Sequence, residues 1–433
     1  MNTLNRFLKS PRSAHDASND FLLGLRGFFV VQSFLFTFLQ VFAPGAVAHT
    51  PNALNSPNTT LHKALKFVSI LFWNDGIIYS GLIMLSARTI CIPFMTTGGG
   101  SKSSIAGFIF RRGLTLWIPV AAALAISTGI SHSLSYGHVD AFAQSAGNLS
   151  IFVPYKIENA LIYFNSVFNL FWVTTKFSDQ SGNYAFPGQM MWVINVIYQQ
   201  SFTIYMTMVI IPYTRRSWRF KGALFFIITA WWVQSWAWYS ITGLLFADMA
   251  INMDFKVKAQ RGIKIYRSIR MPSYIAYILV FAAGAIMQYL WAAWRPEYRN
   301  EEIVAHGGLY YTGGLNEDFD VKQPQARDDN YLVLVGLFLF VETSDLLQWA
   351  LANPLFVYLG RRSLSFFLVQ SIIIYTLGIK LYLALGISSN IGAVAVCFFV
   401  TLAASAAGTE VFYRLVEIPS QVLSHVAFDW IRE

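Results

Sequence analysis

The chain alternates long apolar stretches with shorter polar ones over almost its whole length. A helix that crosses a bilayer needs ~20 mostly apolar residues, because the hydrocarbon core offers no water to open backbone groups. The pattern predicts ten such helices, at residues 21–44, 65–91, 107–130, 189–212, 223–236, 237–254, 274–293, 332–352, 363–384 and 391–415. We therefore predict an all-α integral membrane protein with about ten transmembrane helices in one bundle.

The composition agrees with this class of protein. Of the 433 residues, 55% are hydrophobic and only 12% are charged, whereas soluble domains contain about 25% charged residues. The two cysteines, Cys91 and Cys397, lie inside apolar runs and form neither a disulfide framework nor a metal-ligand spacing. The first 20 residues are polar and the first apolar run is long enough to span, so no cleavable signal peptide is expected.

The distribution of Lys and Arg predicts the orientation in the membrane. The net charge of +9 would suggest nucleic-acid binding in a soluble protein, but here basic residues mark cytoplasmic loops. With the N-terminus in the cytoplasm, the basic clusters at 215–221, 256–270 and 361–362 fall on inner loops. This sorting is also why we divide the apolar stretch 223–254 into two helices. The lipid bilayer is the expected partner, and nucleic acid is not.

The resulting domain prediction has three parts. It comprises a cytoplasmic N-terminal tail (1–20), a transmembrane domain (21–416) with outer loops at about 131–188 and 294–331, and a cytoplasmic C-terminal tail (417–433). The outer loop at 294–331 is rich in acidic residues. The expected location is the endoplasmic reticulum or another endomembrane. The oligomeric state is left open.

Six short motifs appear in an order that resembles the acyltransferase-3 family of membrane enzymes, in its fungal branch. In chain order they are LLGLRG (22–27), NDG (74–76) with MLSAR (84–88), FRR (110–112) followed by Leu116 and Pro119, GLLFAD (243–248), LGRRSLSF (359–366) and VEIP (416–419). The resemblance covers roughly residues 22–419. It implies acyl-CoA as a co-substrate that enters from the cytoplasm.

The positions at which this family carries its catalytic residues are substituted here. Counting eleven residues from Arg26 to the family's first histidine gives Thr37, the fourth-span glutamate aligns with Ile197, and the late histidine aligns with Gln370. Acyl transfer to a hydroxyl needs a base with a near-neutral pKa, a task that imidazole suits and threonine cannot perform. None of the seven histidines lies in a predicted span.

Four arginines remain as candidates for binding a donor. Arg26, Arg88, Arg111 and Arg112 are all predicted at the cytoplasmic membrane face. They could mark topology and extend their side chains toward lipid headgroups. Alternatively they could form a phosphate clamp, because arginine binds phosphate through two parallel hydrogen bonds.

Acidic residues inside spans are candidates for catalysis, because burying them in a membrane is costly. Asp75 lies about ten residues into the second predicted span, and Glu342 lies in the middle of the eighth. Each could instead be a buried partner for a polar group on a neighbouring helix. As catalytic residues they could replace the missing acid or base, and desolvation would favour the protonated form of such a carboxyl.

Three functions follow from these observations. The first is an acyltransferase-3-like enzyme that modifies a hydrophobic small molecule of the terpenoid or polyketide type, with Asp75 or Glu342 as the substitute acid or base. The second is a repurposed fold that acts as a membrane-bound cyclase or isomerase, with buried carboxyls as general acids. The third is a transporter or binding subunit, which acids inside the membrane would also permit.

Overall fold

The computed structural model describes residues 19–48, 60–96, 102–134, 136–148, 150–174, 176–266, 269–299, 323–386 and 391–432. Nearly all of the predicted N-terminal tail and most of the predicted acidic loop lie outside these residues. The helices are α1 (Asp20–Phe42), α2 (Thr60–Ser69), α3 (Asp75–Ile90), α4 (Ile92–Thr96), α5 (Lys102–Leu134), α6 (Gly137–Ala146), α7 (Ala160–Trp172), α8 (Ser181–Tyr184), α9 (Trp192–Ile210), α10 (Arg216–Trp232), α11 (Ala237–Asn252), α12 (Phe255–Gln260), α13 (Ser273–Tyr289), α14 (Asp328–Thr343), α15 (Asp345–Leu351), α16 (Pro354–Arg361), α17 (Ser363–Ile373), α18 (Ile379–Ala384), α19 (Ile391–Phe412) and α20 (Ile418–Arg432). Strands β1 (Ile263–Tyr266) and β2 (Ile269–Met271) pair in antiparallel fashion.

The prediction of a multi-pass helical membrane protein is confirmed. Within the described ranges, seven helical segments are long and apolar enough to cross a membrane: Asp20–Phe42, Asp75–Thr96, Ile105–Ser133, Trp192–Tyr213, Ser273–Trp294, Ser363–Ala384 and Gly392–Arg432. Helices α14 and α15 are bent by 96° at their junction and make an eighth if they are counted as one broken span. Helices α10 and α11 have only 17 and 16 residues. The predicted count of about ten is thus not confirmed by the described residues.

The second predicted span begins later than the apolar pattern indicates. Helix α2 is separate, and α3 starts only at Asp75, where the Asn74 side chain accepts a hydrogen bond from the Gly76 amide at 3.0 Å. Asparagine at this position satisfies an amide that has no partner within the helix. Asp75 is therefore the first residue of a helix and does not lie about ten residues into a span, as we predicted.

The C-terminal residues continue the last helix. Pro419 lacks the N–H that an α-helix needs, yet the chain takes a π-helical turn at Tyr413–Glu417 and goes on to Arg432. The helical segment Gly392–Arg432 has 41 residues, and at 1.5 Å per residue it is ~60 Å long, about twice the hydrocarbon thickness. The predicted tail 417–433 is therefore helical as far as Arg432.

The chain divides into two compact units. The first comprises residues 1–73, 106–198 and 351–433, and the second comprises 74–105 and 199–350. In the first unit, α1 and α16 approach so closely that a Cβ on Gly24 would overlap the Leu351 carbonyl, and one on Gly360 would overlap the Leu23 carbonyl. Membrane helices associate largely through such contacts of small residues, since lipid and side chains are equally apolar.

In the second unit, α11 is the central helix. Its twelve residues from Ala237 to Asp248 are all buried, and a helix that is apolar and buried on every side belongs to a core. Gly243 lets α11 approach the backbone of α3, since a Cβ there would overlap the Met84 carbonyl. In the same way, α13 and α14 are in close contact at Gly284 and Gly336.

Candidate functional site

Residues from four of the motifs come together in the first unit. Arg26 of α1 interacts electrostatically with Arg112 of α5 and with Glu417, which lies in the π-helical turn before α20. The Ser365 hydroxyl of α17 donates a hydrogen bond of 2.5 Å to Oε2 of the buried Glu417. These positions are up to 391 residues apart in the chain. The motifs therefore meet through tertiary packing, which no local sequence pattern requires.

Arg362 belongs to the same location, because it interacts electrostatically with Glu417. Its Nε lies 2.6 Å from Glu410 Oε2, and its guanidinium lies over the rings of Tyr358 and Tyr413. Burial and the adjacent Glu410 raise the pKa of Tyr358, so its hydroxyl stays protonated and donates to Glu410 at 2.9 Å. Arg414 binds the other carboxylate oxygen of Glu410 at 2.7 Å.

We call this group the arginine cluster. It contains Arg26, Arg112, Arg361, Arg362 and Arg414 with the carboxylates Asp20, Glu410 and Glu417. Among the described residues of the cluster, five positive charges face three negative ones, which leaves an excess of positive charge. Such an excess at the end of a helical bundle attracts anions, and arginine is the side chain best suited to phosphate.

The predicted four-arginine clamp is only partly assembled. Arg26 and Arg112 lie together, but Arg111 has its guanidinium 2.7 Å from His425 Nδ1, on α20. Arg88 belongs to the second unit, where its Nε lies 2.7 Å from Glu342 Oε1. Arg362 and Glu417 were not predicted as site residues, although both lie inside the motifs that carry the resemblance.

The Arg88–Glu342 ion pair is buried. The two side chains are 3% and 4% exposed, and Arg88 Nη2 also reaches Glu342 Oε2 at 3.4 Å. Among the described residues, Arg88 Nη1 has no hydrogen-bond partner. Glu342 is the last residue but one of α14, just before the 96° bend, rather than the middle of a straight span. Both carboxylate oxygens of Glu342 are therefore engaged by Arg88.

The two predicted catalytic carboxyls are far apart within the second unit. Asp75 and Arg88 stand at opposite ends of α3, and thirteen residues of helix correspond to ~20 Å. Because Glu342 binds Arg88, it is separated from Asp75 by a similar distance. Asp75 is half-buried, with no side-chain hydrogen bond or ion pair to any described residue. The two carboxyls cannot act on the same bond.

Two of the substituted family positions do lie close together, in the first unit. The Gln370 amide donates to Ser33 Oγ at 2.8 Å, and the Thr37 hydroxyl donates to the Ser33 carbonyl at 2.9 Å. All three side chains are buried, and Gln370 Oε1 has no hydrogen-bond partner among the described residues. This polar centre is electrically neutral. It can hold a hydroxyl or an amide, but it contains no base.

The wall of the polar centre comes from the segment before α9. Gly188 has a φ of +77°, and its missing side chain leaves room beside Thr37 and Ser371. Met190 Sδ accepts weak contacts from Gln370 and Ser371. Ile197, at the third substituted position, is a half-buried apolar residue of α9, so nothing at this position replaces a carboxylate.

Comparison with protein-family models, with curated proteins and with solved structures finds no match to this chain.

Proposed function

We propose that the chain is an acyltransferase-3-like membrane enzyme that transfers an acyl group from acyl-CoA to a hydroxyl of a hydrophobic small molecule, of the terpenoid or polyketide type. The observation that carries this proposal is the arginine cluster. Arg26, Arg112 and Arg362 come from three motifs that resemble the family and meet near Glu417. Their excess positive charge suits the phosphates of acyl-CoA, and the many apolar helices suit a lipophilic acceptor.

The proton of the acceptor hydroxyl must go to a base. Since Thr37 and Gln370 cannot accept it, Asp75 remains the better of the two predicted carboxyls, because it has no side-chain hydrogen bond or ion pair to any described residue. Glu342 is held by Arg88 and is less suited. In the reaction, the hydroxyl oxygen attacks the thioester carbonyl, the carbon–sulfur bond breaks, and the CoA thiolate leaves.

We also propose ten spans with both ends in the cytoplasm, in an endomembrane such as the endoplasmic reticulum. Every predicted span overlaps a helix, and α10 and α11 fall only slightly short of a spanning length. The positive-inside rule favours this arrangement, because an odd number of spans would leave the basic residues at 256–270 outside.

A second candidate is the repurposed cyclase or isomerase, which is favoured by the neutral polar centre at Thr37 and Gln370. This reaction needs a protonated carboxyl as the general acid. Both carboxylate oxygens of Glu342 are held by Arg88, which makes Glu342 a poor general acid. Acyl transfer is therefore the better supported of the two functions.

The test is to supply membranes that contain the protein with acyl-CoA and a panel of lipophilic alcohols. We expect free CoA to be released together with an ester whose mass exceeds that of the alcohol by the acyl group. Replacing Asp75 with Asn should lower the rate at least about 100-fold, since general bases contribute about 10²–10⁴-fold. Asp140→Asn is a matched control, because Asp140 is also a first-turn acid, of α6.

Two outcomes would contradict the proposal. An isomeric product of unchanged mass, formed without release of CoA, would leave only the cyclase or isomerase. Full activity of the Asp75→Asn enzyme would show that the base lies elsewhere, while acyl transfer itself would stand.

A further inference from the structure

We propose that residues 157–185 form a hairpin that re-enters the membrane from one side, with one face of α7 in contact with lipid acyl chains. The sequence pattern predicts an outer loop over 131–188, and α7, with 13 residues, is too short to span. The contacts of this segment with α5, in the same unit, nevertheless place it at the depth of the membrane interior.

The segment runs alongside α5 in the opposite direction. His132 Nε2 lies 2.7 Å from the Ile157 carbonyl, the Tyr163 hydroxyl donates to the Ala121 carbonyl at 2.6 Å, and the Phe171 ring packs on Trp117. His132 and Trp117 are fifteen positions apart on α5, and the contacts move from His132 back toward Trp117. The segment advances by about the same number between Ile157 and Trp172, which also contacts Trp117.

The position of α5 in the bilayer is limited by its own charges. Helix α5 carries Arg111 and Arg112 near one end and His132 near the other. A hydrocarbon core needs ~20 residues without charge, and on this helix only the residues between Arg112 and His132 provide it. Ala121 is therefore near the middle of the core. Trp117 lies five residues, or ~8 Å, from the boundary marked by Arg112.

The chain then returns toward the side from which it entered. The Ser127 hydroxyl of α5 donates to the Ala185 carbonyl at 3.2 Å, and Ser127 is only five residues from His132. The Ser181 hydroxyl also donates to Ser166 Oγ of α7, at 2.9 Å. The two arms of the hairpin, α7 and the segment that returns from it, are thus joined by a hydrogen bond. The first arm starts and the second arm ends near the His132 end of α5.

At the end of α7, side chains satisfy a backbone carbonyl, as a membrane interior requires. The Val173 carbonyl, where α7 ends, accepts hydrogen bonds from Asn195 Nδ2 at 3.0 Å and from Gln180 Nε2 at 3.1 Å. Lys176 is exposed just beyond, and its long side chain can reach the polar boundary near Arg112.

One face of α7 presents an apolar stripe. Its members recur at the i, i+3, i+7 and i+11 positions of a helix and are exposed by 80%, 55%, 48% and 61% respectively: Leu161, Phe164, Phe168 and Trp172. The charged residues Lys156 and Glu158 come just before α7, at the level of His132. This stripe continues the apolar surface of the bundle, so its partner is the acyl chains of the bilayer.

The test uses single cysteines at Leu161, Phe164 and Phe168, with Glu158→Cys as the water-exposed control. The native Cys91 and Cys397 are buried, and the wild type measures their background. In membranes permeabilised so that the reagent reaches both faces, we expect the three stripe positions to react about tenfold more slowly than Glu158→Cys with a hydrophilic maleimide, because the reactive thiolate needs water. After denaturation in SDS, all four should react equally, which shows that the thiols are intact.

Nitroxide labels at the same positions measure depth directly. Accessibility to oxygen relative to a water-soluble nickel complex should rise from Glu158→Cys to Phe168→Cys. If Phe168→Cys matches Glu158→Cys in both measurements, α7 lies in water and the hairpin does not enter the membrane. If Phe168→Cys is shielded from both oxygen and nickel, the stripe contacts protein instead of lipid, and the proposal also fails.

Discussion

Replacing Glu342 with Gln should destabilise the second unit by about 3–5 kcal/mol, because it leaves Arg88 buried without a counter-charge. The two side chains are 3% and 4% exposed and only 2.7 Å apart, so neither charge can be hydrated when the other is lost. Arg88 also has an unpaired Nη1 among the described residues, which leaves its charge still more dependent on Glu342. The measurement is the free energy of unfolding in detergent, titrated with SDS.

The double variant Arg88→Met with Glu342→Leu provides the control. Removing both charges should restore most of the lost stability, since a buried ion pair is often no better than an apolar pair of similar volume. Asp345→Asn breaks an exposed pair with Lys256 and should have a much smaller effect. If Glu342→Gln were as stable as the wild type, the pair would not be buried as described. If that stable variant were inactive, Glu342 would be catalytic.

The second large effect is expected at Gly360, where α16 approaches α1. A Cβ at this position would overlap the Leu23 carbonyl, so Gly360→Ala must force two backbones apart. We expect a loss of about 1–3 kcal/mol, as for other overpacked sites. Because Arg361 and Arg362 follow directly, the arginine cluster should be disturbed as well, and both the midpoint of thermal unfolding and CoA binding should fall.

A second glycine supplies the matched control for this prediction. Gly113 of α5 has no atom within 4 Å of the position a Cβ would take, so Gly113→Ala should be neutral or stabilising by up to about 1 kcal/mol, because alanine loses less entropy in a helix. Equal effects of the two substitutions would contradict the close approach of α1 and α16. The glycines of the LLGLRG and LGRRSLSF motifs would then need another explanation.

Local pattern predicted much of the architecture, because apolar length is what selects a spanning helix. The start of α3 could also have been predicted, since Asn74 before Asp75 is a common sequence signal for a helix N-terminus. Glu342 was predicted in the middle of a straight span because the apolar pattern continues through the 96° bend after Thr343. The re-entrant segment was missed for a related reason: α7 has only thirteen residues, among them Asn165, Ser166 and Asn169, and is too short to indicate a membrane helix.

The sequence predicted several residues of the candidate site, but it did not predict which of them are in contact. The motif resemblance named Arg26 and Arg112, which do lie together. It did not reveal that Arg88 pairs with Glu342, which lies 254 positions away in the sequence and in the same unit. Pairing over such distances depends on tertiary packing, which a single sequence does not reveal. Glu417 and Ser365 could have been found only by asking which motif residues carry complementary groups.

Binding of CoA to the purified protein in lipid nanodiscs tests the central claim most directly. Arg26→Gln and Arg112→Gln should each weaken binding about 10–100-fold, since a hydrogen bond to a charged group contributes about 1.5–3 kcal/mol. Arg270→Gln should leave the dissociation constant within about twofold, because that side chain is exposed and lies outside the arginine cluster. No CoA binding by the wild type, or equal binding by all variants, would contradict the assignment of the arginine cluster as a donor site.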